Sequence, residues 1–207
     1  PHIAVVLLIE QEHLDVHADM SDYIAAKAKI TKSQTAQDIL VFNDSNAYAR
    51  EMASVTSARR VPYPSSNAAH VREDEDWFYY GETPLCSVDT LRIPGAHNHE
   101  NALAAIDAVW EYVQDPAAIK AGLSSFYGLP HRLAFVSEVR GVRYYDDSIA
   151  TTPGSAIAAL RAFPETNKVI ILGGSYKGSD FSELATELTG HSVRALLIGD
   201  EAGRMAD

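Results

Sequence analysis

The sequence holds a single cysteine, Cys86. No intramolecular disulfide can form, and the composition fits a reducing compartment, so a cytoplasmic protein is the expectation. Long apolar runs are missing. The longest, "IAVVLLI" at 3–9, is too short to cross a bilayer and reads as a buried strand, so no membrane partner is expected. No signal-peptide pattern is visible. Basic residues are scarce, 17 Lys and Arg against 28 Asp and Glu, for a formal net charge of -11. Such a chain repels phosphate backbones, which argues against nucleic acid as a partner. Small anionic ligands would need a local gathering of basic side chains. No internal repeat is visible, and Gly-x-x-x-x-Gly-Lys-Ser/Thr occurs nowhere. An initiator Met is missing as well. The chain opens at Pro1 inside a strand-like pattern and closes at "IGDEAGRMAD" as a helix begins. Both ends read as cut, and the expectation is a fragment of a longer protein.

What is present is ordinary globular composition, 46% apolar and 22% charged over 207 residues, enough for one large domain or two small ones. After the first strand comes a polar loop, then helical spacing over 19–30 with Asp19 or Ser21 as N-cap. A second buried strand covers 38–43 and a second helix 45–54. Residues 61–76, rich in Pro, Ser and charge, read as loop. "WFYYG" and "CSVDTLRI" read as a small antiparallel pair. Residues 99–113 place Leu103, Ile106, Val109, Trp110 and Val113 on one helical face, and another helix opens near Pro116.

"YGLPHR" at 127–132 is Gly/Pro punctuation and marks the expected boundary, giving domains of 1–131 and 132–207. Beyond it come two strands joined at Arg140-Gly141, a helix over 154–162 and a strand over 168–172. A Gly-rich loop, a helix over 180–188, a strand over 193–199 and a helix start follow. Alternating strands and helices predict an α/β fold with a parallel sheet.

Four stretches carry residues able to do chemistry. "EHLDVH", 12–17, follows a buried strand, where open α/β sheets place ligands. On spacing alone a polar surface loop is the plainer reading, and His-x-x-x-His lacks an evident third zinc ligand. Lys27 in "YIAAKAKI" reads first as a solvated helix lysine; the alternative is a desolvated amine among small residues. "GGSYKGSDFS", 173–182, is either a plain turn or an anion cradle at a helix N-terminus that uses Lys177. "YYDDSIATTPGSAIAAL", 144–160, sets Asp146, Asp147, Ser148, Thr151 and Thr152 at a strand-to-helix junction. Asp and Ser fill turns and cap helices, yet paired carboxylates at a strand end could also take a ribose hydroxyl or a metal-bound water. The local reading stops at a phosphate-handling α/β protein.

Taken together, the stretches resemble the Mur ligases, the ATP-dependent enzymes that build the peptide stem of peptidoglycan, and most of all the glutamate-adding members. "EHLDVHADMSDYIAAKAKI" resembles the family's DHLDRH…Y…AAK motif and "PGAHNHENALAA" its PGxHNxxNAxAA. "GLPHR" matches its interdomain hinge, "YYDDSIATTPGSAIAAL" its NDSKATNxxSxxAAL and "LGGSYKGSDFS" its LGGxxKGxDFS. Five motifs in order cover nearly the whole chain.

The resemblance implies the C-terminal part of a P-loop-type ATPase domain followed by a truncated Rossmann-like domain, with ATP and Mg²⁺ as cofactors. The substrates it implies are UDP-N-acetylmuramoyl-L-alanine and glutamate, joined through an acyl phosphate in a monomeric cytoplasmic enzyme. By the same resemblance His13 binds Mg²⁺, and Lys27 is a lysine that the family carbamylates, turning a cation into a metal-supporting anion. Asn98 and Asn101 fall at the adenine motif, Arg132 and Asp147 hold phosphate and ribose, and Ser148, Thr151 and Lys177 face the incoming amino acid. Lys27, His13 and Lys177 are the residues implied in catalysis. The pattern departs at four places: Leu8 for Asn, Asp146 for Asn, Ile149 for Lys and Thr152 for Asn. Ile149 removes a cation from the amino-acid side, which leaves D- and L-glutamate both open. The family's UDP-binding domain and P-loop are absent from the sequence, so this chain alone is expected to be inactive. The rival readings are a ligase of the same family that adds L-glutamate or another amino acid, and a non-catalytic nucleotide-binding module.

Overall fold

The computed structural model describes residues 1–10, 16–164, 167–175 and 179–206. The fold is mixed α/β and divides into two compact units, Pro1–Arg92 with Asn98–Phe126, and Ile93–His97 with Tyr127–Asp207.

The first unit is built on a parallel sheet of β1 (Ile3–Val6), β2 (Ile39–Asn43) and β3 (Arg59–Tyr63), in the order β1-β2-β3. Ile3 lies opposite Ile39, and Ile39 opposite Arg59. All five residues of β2 are buried. Successive side chains of a strand point to opposite faces, so a continuous apolar run suits a strand covered on both sides. The packing follows that rule. Leu40 and Phe42 join Ala4 and Val6 under α1 (Met20–Ala28) and α2 (Ala47–Val55). Ile39 and Val41 join Val61 and Tyr63 on the other face, against α3 (Ala96–Trp110) and α4 (Pro116–Ser125). An antiparallel sheet of β4 (Ala69–Arg72), β5 (Trp77–Tyr80) and β6 (Thr83–Ser87) adds Ala69, Phe78, Leu85 and Cys86 to the same cluster.

Several boundaries differ from the sequence reading. The first strand stops at Val6, and Leu7 and Leu8 are exposed. Asp19, rather than Ser21, caps α1, its side chain accepting from the Asp22 amide at 2.9 Å. Residues 61–76 are not all loop: β3 runs to Tyr63, and β4 occupies 69–72. Pro62 hid the strand, but it sits on an edge strand, where a missing N–H is tolerated, and its neighbours Val61 and Tyr63 are buried. β6 begins three residues before Cys86, and 88–90 form a 3₁₀ turn. On α3, Leu103 and Ile106 are buried, Val109 is exposed and Trp110 stacks on Tyr80 with centroids 4.0 Å apart; the helix ends at Trp110, and Val113 beyond it is exposed.

The second unit opens with a hairpin of β7 (Ala134–Val139) and β8 (Val142–Asp146). Arg140 and Gly141 turn it with φ of 53° and 79°, the left-handed pair that a two-residue hairpin requires. A parallel pair, β9 (Lys168–Gly173) and β10 (Val193–Ile198), carries α5 (Pro153–Arg161) and α6 (Ser182–Gly190) on one face, followed by α7 (Ala202–Ala206). Ile157, Leu160 and Leu184 are buried there against Ile170, Leu172 and Val193. On the opposite face Val169, Ile171, Leu196 and Ile198 are exposed. Gly173 is obligatory: a Cβ there would lie 1.8 Å from the Ile198 carbonyl oxygen.

Candidate functional site

In the first unit the candidate residues stand at helix ends. α1 is a good helix by composition, with Asp22 in the first turn and Lys27 in the last, each complementing the helix dipole. Lys27 is exposed, its Nζ 5.1 Å from the centroid of the Tyr23 ring one turn earlier. Burial among the alanines therefore does not desolvate it. Tyr23 itself is buried and meets the His17 ring at 5.3 Å. His17 Nδ1 lies 2.9 Å from Asp22 Oδ2. This bond, with the Ala18 amide, holds the Asp22 carboxyl below the usual range. His17, before α1, thus forms a small His–Asp–Tyr assembly with the first turns of the helix, and Lys27 follows along it. His13 lies outside the described residues.

Asn98 and Asn101 occupy the first turns of α3, one turn apart on one face. Asn101 Nδ2 donates to Asn98 Oδ1 at 3.3 Å. Asn98 is half-buried and Asn101 exposed. The helix that presents them is anchored by Ala102, Leu103 and Ile106 and by a bond the sequence reading missed. The Ala69 amide donates to the buried Asp107 carboxylate at 2.8 Å, tying α3 to β4. The second oxygen of Asp107 is buried with no partner among the described residues. Burial pushes this carboxyl up to about 7, against the opposing pull of the Ala69 bond. The signal was in the sequence, an acid set between Ile106 and Trp110 inside the apolar stripe.

In the second unit the end of β8 and the turn before β7 are stapled together. The Leu133 amide donates to Asp147 Oδ1 at 2.8 Å, and the Ile149 amide to the His131 carbonyl at 3.2 Å. His131 Nδ1 meets Asp146 Oδ2 at 2.7 Å, and Asp146 Oδ1 accepts from the Ser148 amide at 2.9 Å. The Ser148 amide first, and then His131, draw the Asp146 carboxyl down to about 2. Arg132 lies between the two anchored residues. The segment that carries Arg132 is thereby joined to the loop that carries Asp147 and Ser148. Thr151 lies further along the same loop, and Thr152 caps α5, accepting from the Ser155 amide at 3.2 Å, with Pro153 in the first turn. Ile149 is half exposed, at 51%. Lys177 falls outside the described residues.

Two family descriptions match the chain. "Mur ligase middle domain" covers residues 1–109 and "Mur ligase, glutamate ligase domain" covers 131–207. The chain belongs to the Mur ligase family. A UDP-N-acetylmuramoylalanine–D-glutamate ligase of Streptococcus agalactiae is 37% identical to this Mur ligase chain over 210 residues, which is 99% of the chain and 46% of that enzyme. The enzyme of that name from Symbiobacterium thermophilum is 40% identical over 96% of the chain and 45% of its own length. This Mur ligase chain therefore spans about half the length of the curated relatives it matches. Among solved structures, MurF from Acinetobacter baumannii superposes with a TM-score of 0.77 at 18% identity, covering all of the chain and 48% of MurF. A bifunctional folylpolyglutamate synthase/dihydrofolate synthase from Yersinia pestis gives 0.68 at 19%, covering 99% of the chain and 50% of its own. At those identities the likeness concerns the fold.

Proposed function

We propose that the chain is part of an ATP-dependent ligase that joins glutamate to UDP-N-acetylmuramoyl-L-alanine in peptidoglycan precursor synthesis. The observation that carries this reading is the 36–40% identity, over nearly the entire chain, to enzymes named for that product. The family's middle portion would end near residue 131 and its C-terminal portion would fill 132–207. The enzyme would be cytoplasmic and monomeric.

The donor chemistry of the described residues fits a nucleotide. In the first unit Asn98 and Asn101 offer amide donors and acceptors on one helix face, suited to the edge of adenine. In the second, Arg132 offers a guanidinium for phosphate. Asp147 spends Oδ1 on the Leu133 amide, which leaves its other oxygen to accept from a ribose hydroxyl. ATP, when bound with Mg²⁺, supplies the phosphoryl group that activates the acceptor carboxylate as an acyl phosphate. The chain's own residues would bind and orient. His13 and a carbamylated Lys27 would hold the metal, and Ser148, Thr151 and Lys177 would set the amine of the incoming amino acid against the activated carbonyl. Such catalysis rests on positioning and on charge neutralisation.

Ile149 favours one variation. An exposed aliphatic side chain stands where a lysine of the family pattern would meet the amino acid, so the side-chain carboxylate of glutamate has one cation fewer. The test uses the full-length gene product that carries this chain. Phosphate release is followed with UDP-N-acetylmuramoyl-L-alanine, ATP and Mg²⁺, with D-glutamate or L-glutamate added separately. Release with D-glutamate supports the reading as stated. Release with L-glutamate alone ties Ile149 to altered stereospecificity. Silence with both overturns the assignment. The 207-residue chain by itself is expected to release no phosphate.

A further inference from the structure

His131 and Leu133 flank Arg132 with φ of 63° and 45°. Left-handed backbone is uncommon for side chains of this size and persists where surrounding bonds over-determine it. Those bonds are present and all reach the last residue of β8 or the loop after it. The Leu133 amide is held by Asp147, the His131 carbonyl by the Ile149 amide, and the His131 ring by Asp146. A further bond, from the Ala150 amide to the Asp147 carbonyl at 2.9 Å, tightens the loop itself. Arg132 is thus pinned at both neighbours to the loop that carries Asp147. Movement of either segment would carry the other with it.

The chemistry of the ring contact is specific. Asp146 already accepts from Ser148 on Oδ1, and its Oδ2 can only accept, so His131 Nδ1 must carry a hydrogen. Neutral imidazole with hydrogen on Nδ1 and imidazolium both satisfy that requirement. An asparagine at 146 would keep its oxygen on Ser148 and turn its NH₂ toward the ring, which would need a bare Nδ1. Imidazolium cannot supply one. The charged groups of the two segments are Arg132, Asp146 and Asp147, and of these Asp146 is the one in contact with the ring.

We propose that His131 and Asp146 are a positioning pair that fixes Arg132 against Asp147, and that the carboxylate at 146 keeps the pair closed when His131 takes up a proton. The inference rests on the nucleotide-binding reading of Arg132 and Asp147. It adds a proton-tolerant clamp to that site.

The test uses the full-length gene product. His131→Ala is expected to raise KM for ATP about tenfold, the effect of one charge-assisted bond, with kcat changed about twofold or less. His131→Asn, which keeps a donor near the Nδ1 position and tolerates left-handed backbone, is expected to restore most of that loss. Asp146→Asn is expected to lose ATP affinity about tenfold more than the unaltered enzyme as the pH falls from about 8 to about 5.5, the range in which imidazoles take up protons. An unchanged KM in His131→Ala, or parallel pH profiles for Asp146→Asn and the unaltered enzyme, would overturn the proposal. Amide exchange at Leu133 and Ile149 separates the two ideas. It should quicken in His131→Ala whatever the enzyme binds, and unaltered exchange sinks the pairing. Absence of ligase activity in the unaltered protein sinks the proposed function instead.

Discussion

The two units solve the same problem differently. In the first, β2 is buried on both faces and feeds two apolar clusters, so the helices that carry Lys27, Asn98 and Asn101 rest on a packed sheet. In the second, the buried cluster is Ile157, Leu160 and Leu184, and one face of the β9–β10 pair stands open. The residues expected to meet a ligand there are placed by hydrogen bonds from loop to loop rather than by burial. A site held by packing fails when volume is removed. A site held by a few polar bonds fails when one partner is removed.

Core truncation tests that contrast most strongly. Leu40 is fully inaccessible, in the central strand, with neighbours on every side. Leu40→Ala is expected to cost about 4 kcal/mol, because a packed sheet cannot collapse into the cavity. Leu160→Ala is expected to cost about 2 kcal/mol, because the smaller cluster can relax. Both tryptophans, Trp77 and Trp110, belong to the first unit, so their fluorescence in a denaturant titration reports that unit. Leu40→Ala should shift the fluorescence midpoint. Leu160→Ala should show instead as faster amide exchange in α5 and β9. Equal losses at the two leucines would erase the distinction between the units.

The same contrast sets what was legible in the sequence. The central strand was readable because four consecutive apolar residues, Ile39 to Phe42, have few other uses. The hairpin was readable because Arg140-Gly141 supplies the required left-handed turn. β3 and β4 were not, because Pro62 and a run of charge look like loop until the edge position is known. The motif residues could be named in advance, but their mutual arrangement could not. Nothing in "GLPHR" or "YYDDSIATT" says that His131 reaches Asp146 or that the Leu133 amide binds Asp147, because these pairs join residues fourteen or more positions apart. Asp107 was overlooked for the opposite reason. Its position in the apolar stripe was plain, but an acid there reads as solvated until the strand beneath it is placed.

Asp107 sharpens the account of the first unit, since a core that tight must also tolerate a carboxyl. Its folded-state value is near 7, well above the ordinary 3.8, and burial is the cause. The folded protein therefore holds a proton that the unfolded chain has released between those values. The carboxyl's contribution to stability is fully present below about pH 4 and is lost as the pH rises through 7. Asp107→Asn keeps an acceptor for the Ala69 amide and removes the titration. It is expected to be about 2 kcal/mol more stable than the unaltered chain at pH 8, with the advantage gone by pH 5. Denaturant midpoints followed by tryptophan fluorescence at the two pH values check this. A constant difference across pH would mean that folding does not raise the carboxyl above its ordinary value.

Helix caps give the finest version of the comparison. Asn46 caps α2 in the first unit, its Oδ1 accepting from the Ala49 amide at 3.0 Å while its Nδ2 donates to the Ile9 carbonyl at 3.0 Å. One side chain thus closes a helix and ties down the segment after β1. Thr152 caps α5 in the second unit through the Ser155 amide, and its hydroxyl also meets the Ser155 hydroxyl at 3.0 Å, a partner within the same turn. Asn46→Ala is expected to cost about 2 kcal/mol, and Thr152→Ala about 1 kcal/mol. Asn46→Ser keeps a capping oxygen but cannot span to Ile9, so it should fall between the unaltered chain and Asn46→Ala. If Asn46→Ser is as stable as the unaltered chain, the bond to Ile9 contributes nothing. The cap of α2 would then work, like that of α5, through bonds within its own turn alone.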